Sequence, residues 1–284
     1  MNELRFTKMH GTGNDFVFVD AREFSDAELE TIRQDAAAIC DRRFGAGCDQ
    51  LLLLLPATQG GDFRMGIFNA DGSEVEMCGN GIRCLARYVA DHKLSAKEVL
   101  DIETGGGLIR PRIVDGLVEV DMGEPILEGE KIPTTGKGRI VNHPLEAAGK
   151  SWPVTCVSMG NPHCVTYVDD VDALDLQKIG PDFEHNAFFP NRVNTEFVQV
   201  LAPGHVKQRT YERGSGETLA CGTGASAVCV AGVLTGKSAR EVRIDLRGGT
   251  LQLRWDEQSN HVYMTGPAAS VYEATLDLDA ARNR

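Results

Sequence analysis

The sequence predicts a mixed α/β (α+β) fold made of two pseudo-symmetric halves. A cysteine followed by a Gly-rich helix opening occurs twice, as Cys78-Gly79-Asn80-Gly81 and as Cys221-Gly222-Thr223-Gly224, about half of the 284-residue chain apart. Short β-rich runs surround both motifs, and residues 225–234 are almost entirely small and apolar, which predicts a helix buried on all sides. We therefore expect each half to be a mostly antiparallel strand array or barrel around a central helix.

The repeat extends beyond the cysteine motifs. Corresponding polar residues recur in the same order, namely Asn14, Gln50, Asn69 and Cys78 in the first half and Asn161, Asn194, Glu212 and Cys221 in the second. A period of half the chain indicates duplicated domains, because solenoid repeats are far shorter. The predicted boundaries are residues 1–121 for the first half, to which residues 267–284 return, and residues 122–266 for the second. We expect an active site in the cleft between them.

In the first half, a strand near residues 6–10 breaks at Gly11-Thr12-Gly13-Asn14 and resumes at residues 16–19. Ser25-Asp26-Ala27-Glu28 is a capping box, and apolar residues at helical spacing follow it, which predicts a helix ending near residue 41. Residues 51–55 and 64–69 read as strands, and a helix is predicted from Cys78 to about residue 91. Short strands follow near residues 102, 108–109 and 117–120.

Residues 123–153 are rich in Gly, Pro and charge, so they are predicted to connect the halves, with short strands allowed. Strands are expected at residues 165–169 and 196–200. The segment from Ala231 to Ser238 resembles a P-loop, but its Gly-Lys-Ser closes a helix, where Gly236 suits the C′ position. Phosphate binding there is therefore not expected.

Composition excludes several classes of function. The net charge of −12 argues against nucleic acid or an anionic membrane as a partner, since both select basic surfaces. The first residues contain no apolar signal core and no apolar run is long enough to span a bilayer, so a cytoplasmic protein is expected. The eight cysteines contain no Cys-x-x-Cys and no zinc spacing, so reduced thiols and no metal site are predicted.

Cys78 and Cys221 differ from the other six cysteines in their context. An isolated cysteine is usually a small buried apolar residue. Two cysteines at matching helix openings favour chemistry instead, because a helix N-terminus lowers the pKa of a thiol toward neutrality. Two such thiols facing one carbon could remove a proton from one face and return one to the other. This is the need of an amino-acid racemase or epimerase that uses no cofactor.

The sequence resembles the diaminopimelate epimerase family over essentially its whole length. Four signatures carry the resemblance: His10-Gly11-Thr12-Gly13-Asn14-Asp15-Phe16, Met77-Cys78-Gly79-Asn80-Gly81, Gly160-Asn161-Pro162-His163, and the stretch from Glu212-Arg213-Gly214 through Cys221-Gly222-Thr223-Gly224. The resemblance implies two half-chain domains that close over one substrate, diaminopimelate, with Cys78 and Cys221 as acid and base. It also implies a homodimer with Tyr272 in the interface, and no cofactor.

The resemblance further assigns roles to polar residues. Substrate-binding positions map onto Asn14, Gln50, Asn69, Gly79, Asn80, Asn161, Asn194, Glu212, Arg213, Gly222 and Thr223. His163 and Glu212 are expected to tune the proton affinities of the thiols, although His163 could equally be a satisfied core or loop histidine. Asn14 and Asn161 follow glycine, where asparagine also serves turns.

Two other functions remain open at this point. A proline or hydroxyproline racemase would share the fold and the paired cysteines, but such enzymes typically carry His where this chain has Asn80. A thiol redox or metal-binding protein could use Cys78 and Cys221 differently. Turnover of LL-diaminopimelate in reduced buffer and an assay of metal content distinguish these possibilities.

Overall fold

The structure, a computed structural model, describes residues 1–282. From the start of the chain to residue 121 it contains β1 (Glu3–Gly11), β2 (Asn14–Asp20), α1 (Asp26–Cys40), β3 (Gln50–Pro56), β4 (Phe63–Asn69), α2 (Gly79–Asp91), β5 (Ile102–Thr104), β6 (Gly107–Ile109), β7 (Pro111–Val114) and β8 (Leu117–Asp121). The next elements are β9 (His143–Ala147), β10 (Lys150–Ser158), β11 (Pro162–Tyr167), α3 (Leu176–Glu184), β12 (Asn194–Ala202), β13 (His205–Glu212), β14 (Gly216–Thr218), α4 (Gly222–Leu234), β15 (Glu241–Leu246), β16 (Gly249–Trp255) and β17 (Val262–Gly266). The chain continues with β18 (Ala269–Asp277) and α5 (Leu278–Arg282).

Contacts divide the chain into two compact units. The first unit is Met1–Val120 together with the residues from Gly266 onward, and the second is Asp121–Thr265. The sheet of the first unit has the strand order β18-β1-β2-β3-β4-β5-β6. The second unit has the order β17-β16-β15-β13-β12-β11-β10-β9, and β14 pairs with β13 outside this path.

The two sheets have the same pairing pattern. In the first, β1/β2, β3/β4 and β5/β6 are antiparallel, whereas β2/β3 and β4/β5 are parallel. In the second, β10/β11, β12/β13 and β15/β16 are antiparallel, whereas β11/β12 and β13/β15 are parallel. Parallel neighbours need a crossover, and here the crossovers contain α1 and α2 in one unit and α3 and α4 in the other. The predicted mixed α+β fold with two pseudo-symmetric halves is confirmed.

Helix α1 follows directly from its sequence signals. The side chain of Ser25 accepts from the Glu28 amide and the Glu28 carboxylate accepts from the Ser25 amide, so the predicted capping box is present. Ile32, Ala36 and Ile39 on its buried face join one hydrophobic cluster with alternate residues of β2 and β3. On the opposite face of β3, Leu52 lies against Gly81 of α2, and all five leucines of the run are buried.

Helix α4 is buried on nearly all sides, as predicted. It packs against β10, β11 and β12 and also against β15 and β16, so strands from both ends of the sheet surround it. The helix ends at the cap residue Thr235, and Gly236 follows with φ 69°. The Gly-Lys-Ser sequence therefore closes a helix, which excludes the P-loop arrangement.

A hairpin and a helix are among the elements that the sequence did not specify. Residues 123–153 contain β9 and the start of β10, joined by a tight turn in which Ala148 and Gly149 both have positive φ. Helix α3 begins at the cap residue Asp175 and contains Pro181. Its buried Phe183 packs edge-on against Trp152 and Phe197, and this core explains a helix that local signals alone did not reveal.

No helix within residues 1–282 is both long and apolar enough to cross a membrane.

Candidate active site

The predicted polar residues of the first unit lie at one edge of its sheet. Asn14 is the first residue of β2, Gln50 the first of the parallel strand β3, and Asn69 the last of the antiparallel strand β4. Gln50 Nε2 donates to Asn69 Oδ1 at 2.9 Å, and Asn69 Nδ2 donates to the hydroxyl of Ser73 at 3.0 Å. The strand directions therefore bring together three side chains that are far apart in sequence.

Cys78 stands at the N-cap of α2, with extended backbone angles of φ −141° and ψ 117°. Its thiol donates to Asn14 Oδ1 at 3.7 Å, and Asn80 Nδ2 donates to the same oxygen at 3.1 Å. Gly79 is the first helical residue, so its amide lies at the positive end of the helix dipole. The structure thus gathers Cys78, Gly79, Asn80 and Asn14 into one group, which we call the Cys78 cradle.

A buried arginine, which sequence reasoning missed, lies behind this cradle. Arg83 is fully buried, and one of its terminal nitrogens donates to Asn80 Oδ1 at 2.9 Å and to Thr12 Oγ1 at 3.0 Å. Because arginine only donates, the Asn80 oxygen must face Arg83 and its amide nitrogen must face Asn14. Burial lowers the pKa of Arg83 to about 10, so the side chain stays cationic at neutral pH. The sequence did contain a signal for this residue, because Arg83 is a charged residue on the predicted central helix of the first half.

The second unit repeats the edge arrangement. Asn161 immediately precedes β11, Asn194 is the first residue of the parallel strand β12, and Glu212 is the last of the antiparallel strand β13. Asn194 Nδ2 donates to the Pro162 carbonyl at 3.2 Å, and its Oδ1 accepts from the Arg213 amide at 2.9 Å. Asn194 therefore fixes the backbone on which Arg213 is carried.

Cys221 stands at the N-cap of α4, matching Cys78. Its sulfur accepts from the Gly224 amide at 3.4 Å and lies 3.5 Å from Thr223 Oγ1. The carboxylate of Glu212 lies close enough to raise the pKa of this thiol, and it accepts a hydrogen bond from the Thr218 hydroxyl. We call Cys221, Gly222, Thr223, Gly224 and Glu212 the Cys221 cradle.

The expectation of a thiol pKa near neutrality is wrong for Cys221. Burial raises its pKa well above the usual range, and the carboxylates of Glu212 and Glu196 raise it further. Hydrogen bonds from Thr223 and the Gly224 amide oppose this without cancelling it. Burial also raises the pKa of Glu212. The helix dipole is thus outweighed by desolvation and by nearby negative charge.

His163 and Glu196 form a fully buried pair beneath the Cys221 cradle. His163 Nδ1 lies 2.8 Å from Glu196 Oε1, and neither side chain is exposed to solvent. His163 Nε2 lies 2.9 Å from Asn161 Oδ1, so the ring links the carboxylate to a predicted substrate-binding residue. The sequence analysis did not identify Glu196. The available signal was a charged residue within the apolar strand that begins at Asn194.

The remaining predicted residues have simpler surroundings. Arg213 donates from its side chain to the Asn191 carbonyl at 3.3 Å. Tyr272 on β18 is 48% exposed and lies edge-on to Phe6, with ring centroids 6.2 Å apart. All eight cysteines are free thiols, and residues 1–282 contain no cluster of three or more His, Cys, Asp or Glu side chains suited to a metal ion.

Each unit thus offers a thiol at the N-cap of a helix with the first helix amides beside it, surrounded by Asn14 and Asn80 at Cys78 and by Thr223 and Glu212 at Cys221. Such an arrangement can bind a carboxylate and exchange a proton next to it. Two cradles of this kind in one chain are suited to an enzyme of the isomerase class.

Solved structures share this fold. A phenazine biosynthesis protein of the PhzF family from Bacillus anthracis matches with a TM-score of 0.70 and 16% identity, covering 97% of this chain and 99% of that chain. A hydroxyproline epimerase from Agrobacterium vitis matches with a TM-score of 0.67 and 14% identity, covering 98% and 93%. These similarities show the fold alone.

Sequence comparison identifies the family. The model of the diaminopimelate epimerase family matches residues 6–128 and 155–271. A diaminopimelate epimerase from Picosynechococcus sp. is 54% identical, covering 97% of this chain and 99% of the relative. A chloroplastic diaminopimelate epimerase from Oryza sativa subsp. japonica is 51% identical, covering 95% and 79%. The chain belongs to the diaminopimelate epimerase family, and it is an enzyme of the isomerase class.

Proposed function

We propose that the protein interconverts LL- and meso-diaminopimelate, a step toward lysine and cell-wall precursors, by proton transfer between two cysteines at the α-carbon. The observation that carries the proposal is the duplicated cradle, in which Cys78 and Cys221 each stand at the N-cap of a helix beside its first amides. A one-base enzyme would not need the second cradle. Family membership supports the substrate.

The proposed reaction balances as one proton taken and one given. Starting from the LL isomer, the Cys221 thiolate removes the α-proton, and the electron pair of the broken C–H bond delocalises into the substrate carboxylate. The thiol of Cys78 then donates its proton to the opposite face, which leaves Cys78 as thiolate and Cys221 as thiol. Amides of Gly79 and Gly222 would stabilise the charge on the carboxylate.

The neighbours of Cys221 support this role. The carboxylate of Glu212 lies beside the Cys221 thiol, and burial raises the pKa of this carboxylate, so we propose it as an acceptor for the thiol proton. Both ring nitrogens of His163 have hydrogen-bond partners, as expected of a structural histidine. Its partner Glu196 also connects it to the Cys221 cradle, which supports a tuning role. We propose that both residues tune the proton affinity of Cys221.

Binding of the distal amino acid is assigned to the remaining polar groups. Arg213 is proposed to bind a carboxylate with its forked guanidinium, and Glu212 to pair with an ammonium group. Asn14, Gln50 and Asn69 are proposed to bind from the first unit, and Asn161, Asn194 and Thr223 from the second. The proposal requires the two cradles to approach opposite faces of one substrate.

The decisive experiment is incubation of the reduced protein with LL-diaminopimelate in deuterated water. We expect meso product carrying deuterium at the α-carbon, with little deuterium in recovered substrate at early times. A protein thiol exchanges with solvent between turnovers, so the donor on the far face is already deuterated. Proline and hydroxyproline are the control substrates, and comparable turnover of either would favour the racemase alternative. A bound pyridoxal chromophore in active protein would contradict the cofactor-free mechanism.

The homodimer and the cytoplasmic location stay predictions from the sequence. Tyr272 is proposed as an interface residue, and its exposed position on β18 is compatible with that role. Sedimentation of the protein at micromolar concentration tests the dimer, and a monomer would refute it.

A further inference from the structure

We propose that Glu196 is a positioning residue of the Cys221 cradle, which fixes the ring of His163 and holds the Cys221 thiol in its protonated form in the resting enzyme. The inference deepens the proposed function and rests on it only for the acid–base role of Cys221. Neither the family signatures nor the repeat of polar residues had pointed to Glu196.

The first support is the position of the carboxylate. Glu196 is completely buried, one oxygen is 2.8 Å from His163 Nδ1, and the other has no hydrogen-bond partner among residues 1–282. A Cβ added to Gly224 would lie 2.5 Å from Glu196 Oε1. The carboxylate therefore lies directly against the first turn of α4, at the residue whose amide donates to the Cys221 sulfur.

The second support is the matching position in the first unit. Gly13-Asn14-Asp15-Phe16 aligns with Gly160-Asn161-Pro162-His163, and Gln50 aligns with Asn194, so Phe16 corresponds to His163 and Leu52 to Glu196. The registers agree, because Phe16 pairs with Gln50 and His163 pairs with Asn194. A Cβ added to Gly81 would meet Leu52, as one added to Gly224 would meet Glu196. The same backbone arrangement therefore forms in the first unit with two apolar residues, Phe16 and Leu52, in these positions.

A buried charge that the fold does not require needs another explanation, because burying an unneeded carboxylate is unfavourable. One carboxylate oxygen of Glu196 lies 2.8 Å from His163 Nδ1 and directly against Gly224 in the first turn of α4. A carboxylate at this position favours a thiol over a thiolate at Cys221. The linkage to Asn161 also fixes the imidazole ring in place.

One other carboxylate acts on Cys221 besides Glu196. On the strands that pack against α4, the buried titratable side chains are Cys156, His163, Cys164 and Glu196. The charged side chains of β15 and β16 are at least partly exposed. Glu212 is the second carboxylate that raises the pKa of Cys221, and Glu196→Gln leaves it in place.

The test is the pH dependence of Cys221 alkylation by iodoacetamide, measured on the Cys221 peptide by mass spectrometry without substrate. Glu196→Gln keeps a polar partner for His163 and removes the charge, whereas Glu196→Leu removes both. We expect the pH midpoint of Cys221 alkylation to fall in both variants. If it falls by one pH unit, alkylation of the variant below the midpoint should be about tenfold faster than that of the wild type. The Cys78 peptide provides an internal reference whose midpoint should not move.

Two further variants keep the test decisive. Glu184→Gln neutralises another buried glutamate of the same unit, one that accepts from the Gly214 amide at 2.9 Å, and should leave the Cys221 midpoint unchanged. If Glu196→Leu fails to fold, the double variant His163→Phe/Glu196→Leu installs the apolar pair of the first unit. A wild-type midpoint in folded Glu196→Gln or in the double variant overturns the inference. That result leaves the epimerase proposal standing, which only the diaminopimelate assay can refute.

Discussion

The two cradles have the same backbone plan and opposite electrostatic surroundings. Behind Cys78 lies the buried cation of Arg83, whereas the corresponding residue five positions after Cys221 is Ser226, which bonds within its own helix. Behind Cys221 lie the carboxylates of Glu212 and Glu196. This difference indicates that the repeated fold determines the position of each thiol. A few buried side chains determine the charges that surround it.

This asymmetry has a chemical meaning for an enzyme that works in both directions. A cation stabilises a thiolate and a carboxylate stabilises a thiol. Burial and the neighbouring carboxylates are therefore expected to hold Cys221 as a thiol in the resting enzyme. In the proposed mechanism, this is the form that accepts the meso isomer.

Removal of either thiol is expected to have the largest effect. Cys78→Ala and Cys221→Ala should each lower the epimerisation rate by about 10²–10⁴-fold or more, because each removes an acid or base from the cycle. The measurement is kcat with LL- and with meso-diaminopimelate. Cys84→Ala, which changes a buried cysteine within α2, is the matched control. Wild-type turnover by Cys78→Ala would show that the two cradles are not both used.

Loss of the buried cation comes next. Arg83→Met leaves Asn80 Oδ1 and Thr12 Oγ1 without their donor, and each unsatisfied buried group costs about 1–3 kcal/mol. Urea denaturation should show a lower free energy of unfolding by about 2–3 kcal/mol. Ser226→Ala at the corresponding position loses one hydrogen bond within a helix and should cost about 1 kcal/mol or less. Equal costs for the two variants would contradict the described asymmetry.

The helix glycines offer a smaller contrast. A Cβ at Gly81 would approach the end of the flexible Leu52 side chain at 2.6 Å, and a Cβ at Gly224 would approach the held carboxylate of Glu196 at 2.5 Å. Alanine gains about 1 kcal/mol over glycine in a helix, and overpacking costs about 1–3 kcal/mol. Gly81→Ala should therefore be nearly neutral and Gly224→Ala clearly destabilising. Thermal unfolding of both variants checks this, and the reverse order would show that Glu196 is not fixed.

The pH dependence of stability gives the smallest effect. Because burial raises the pKa of Glu212 in the folded protein, the folded state binds more protons than the unfolded state between the two pKa values. The free energy of unfolding therefore falls as pH rises through this window, from about 4.3 upward. Glu212→Gln has no carboxyl group to ionise at this position, so it does not lose stability in this way. Its free energy of unfolding relative to that of the wild type should therefore increase from pH 4 to pH 8. Urea denaturation at both values measures it, and a constant difference would refute the raised pKa.

The sequence predicted those elements whose signals are local. The capping box at Ser25 started α1, Gly236 ended α4, and the repeated Cys-Gly motifs located both cradles. Helix α3 was not recognised, because its formation depends on a core built from Phe183 and distant strands.

Arg83 and Glu196 were missed for a related reason. Patterns of polar and apolar residues treat a charge as a sign of exposure, yet both side chains are buried because partners from other elements satisfy them. The proton affinity of Cys221 likewise depends on its burial and on Glu212 and Glu196, which lie on preceding strands. Aligning Glu196 with Leu52 through the repeat would have exposed the exception.

The burial of α4 on nearly all sides affects when this helix can form during folding. A helix without a polar face gains burial only when the strands on both sides have closed around it, and those strands come from β10 to β12 before it and from β15 and β16 after it. Contacts of such long sequence separation form slowly. We expect the second unit to assemble α4 late, so that the chain acquires the Cys221 cradle only when this unit is almost fully folded.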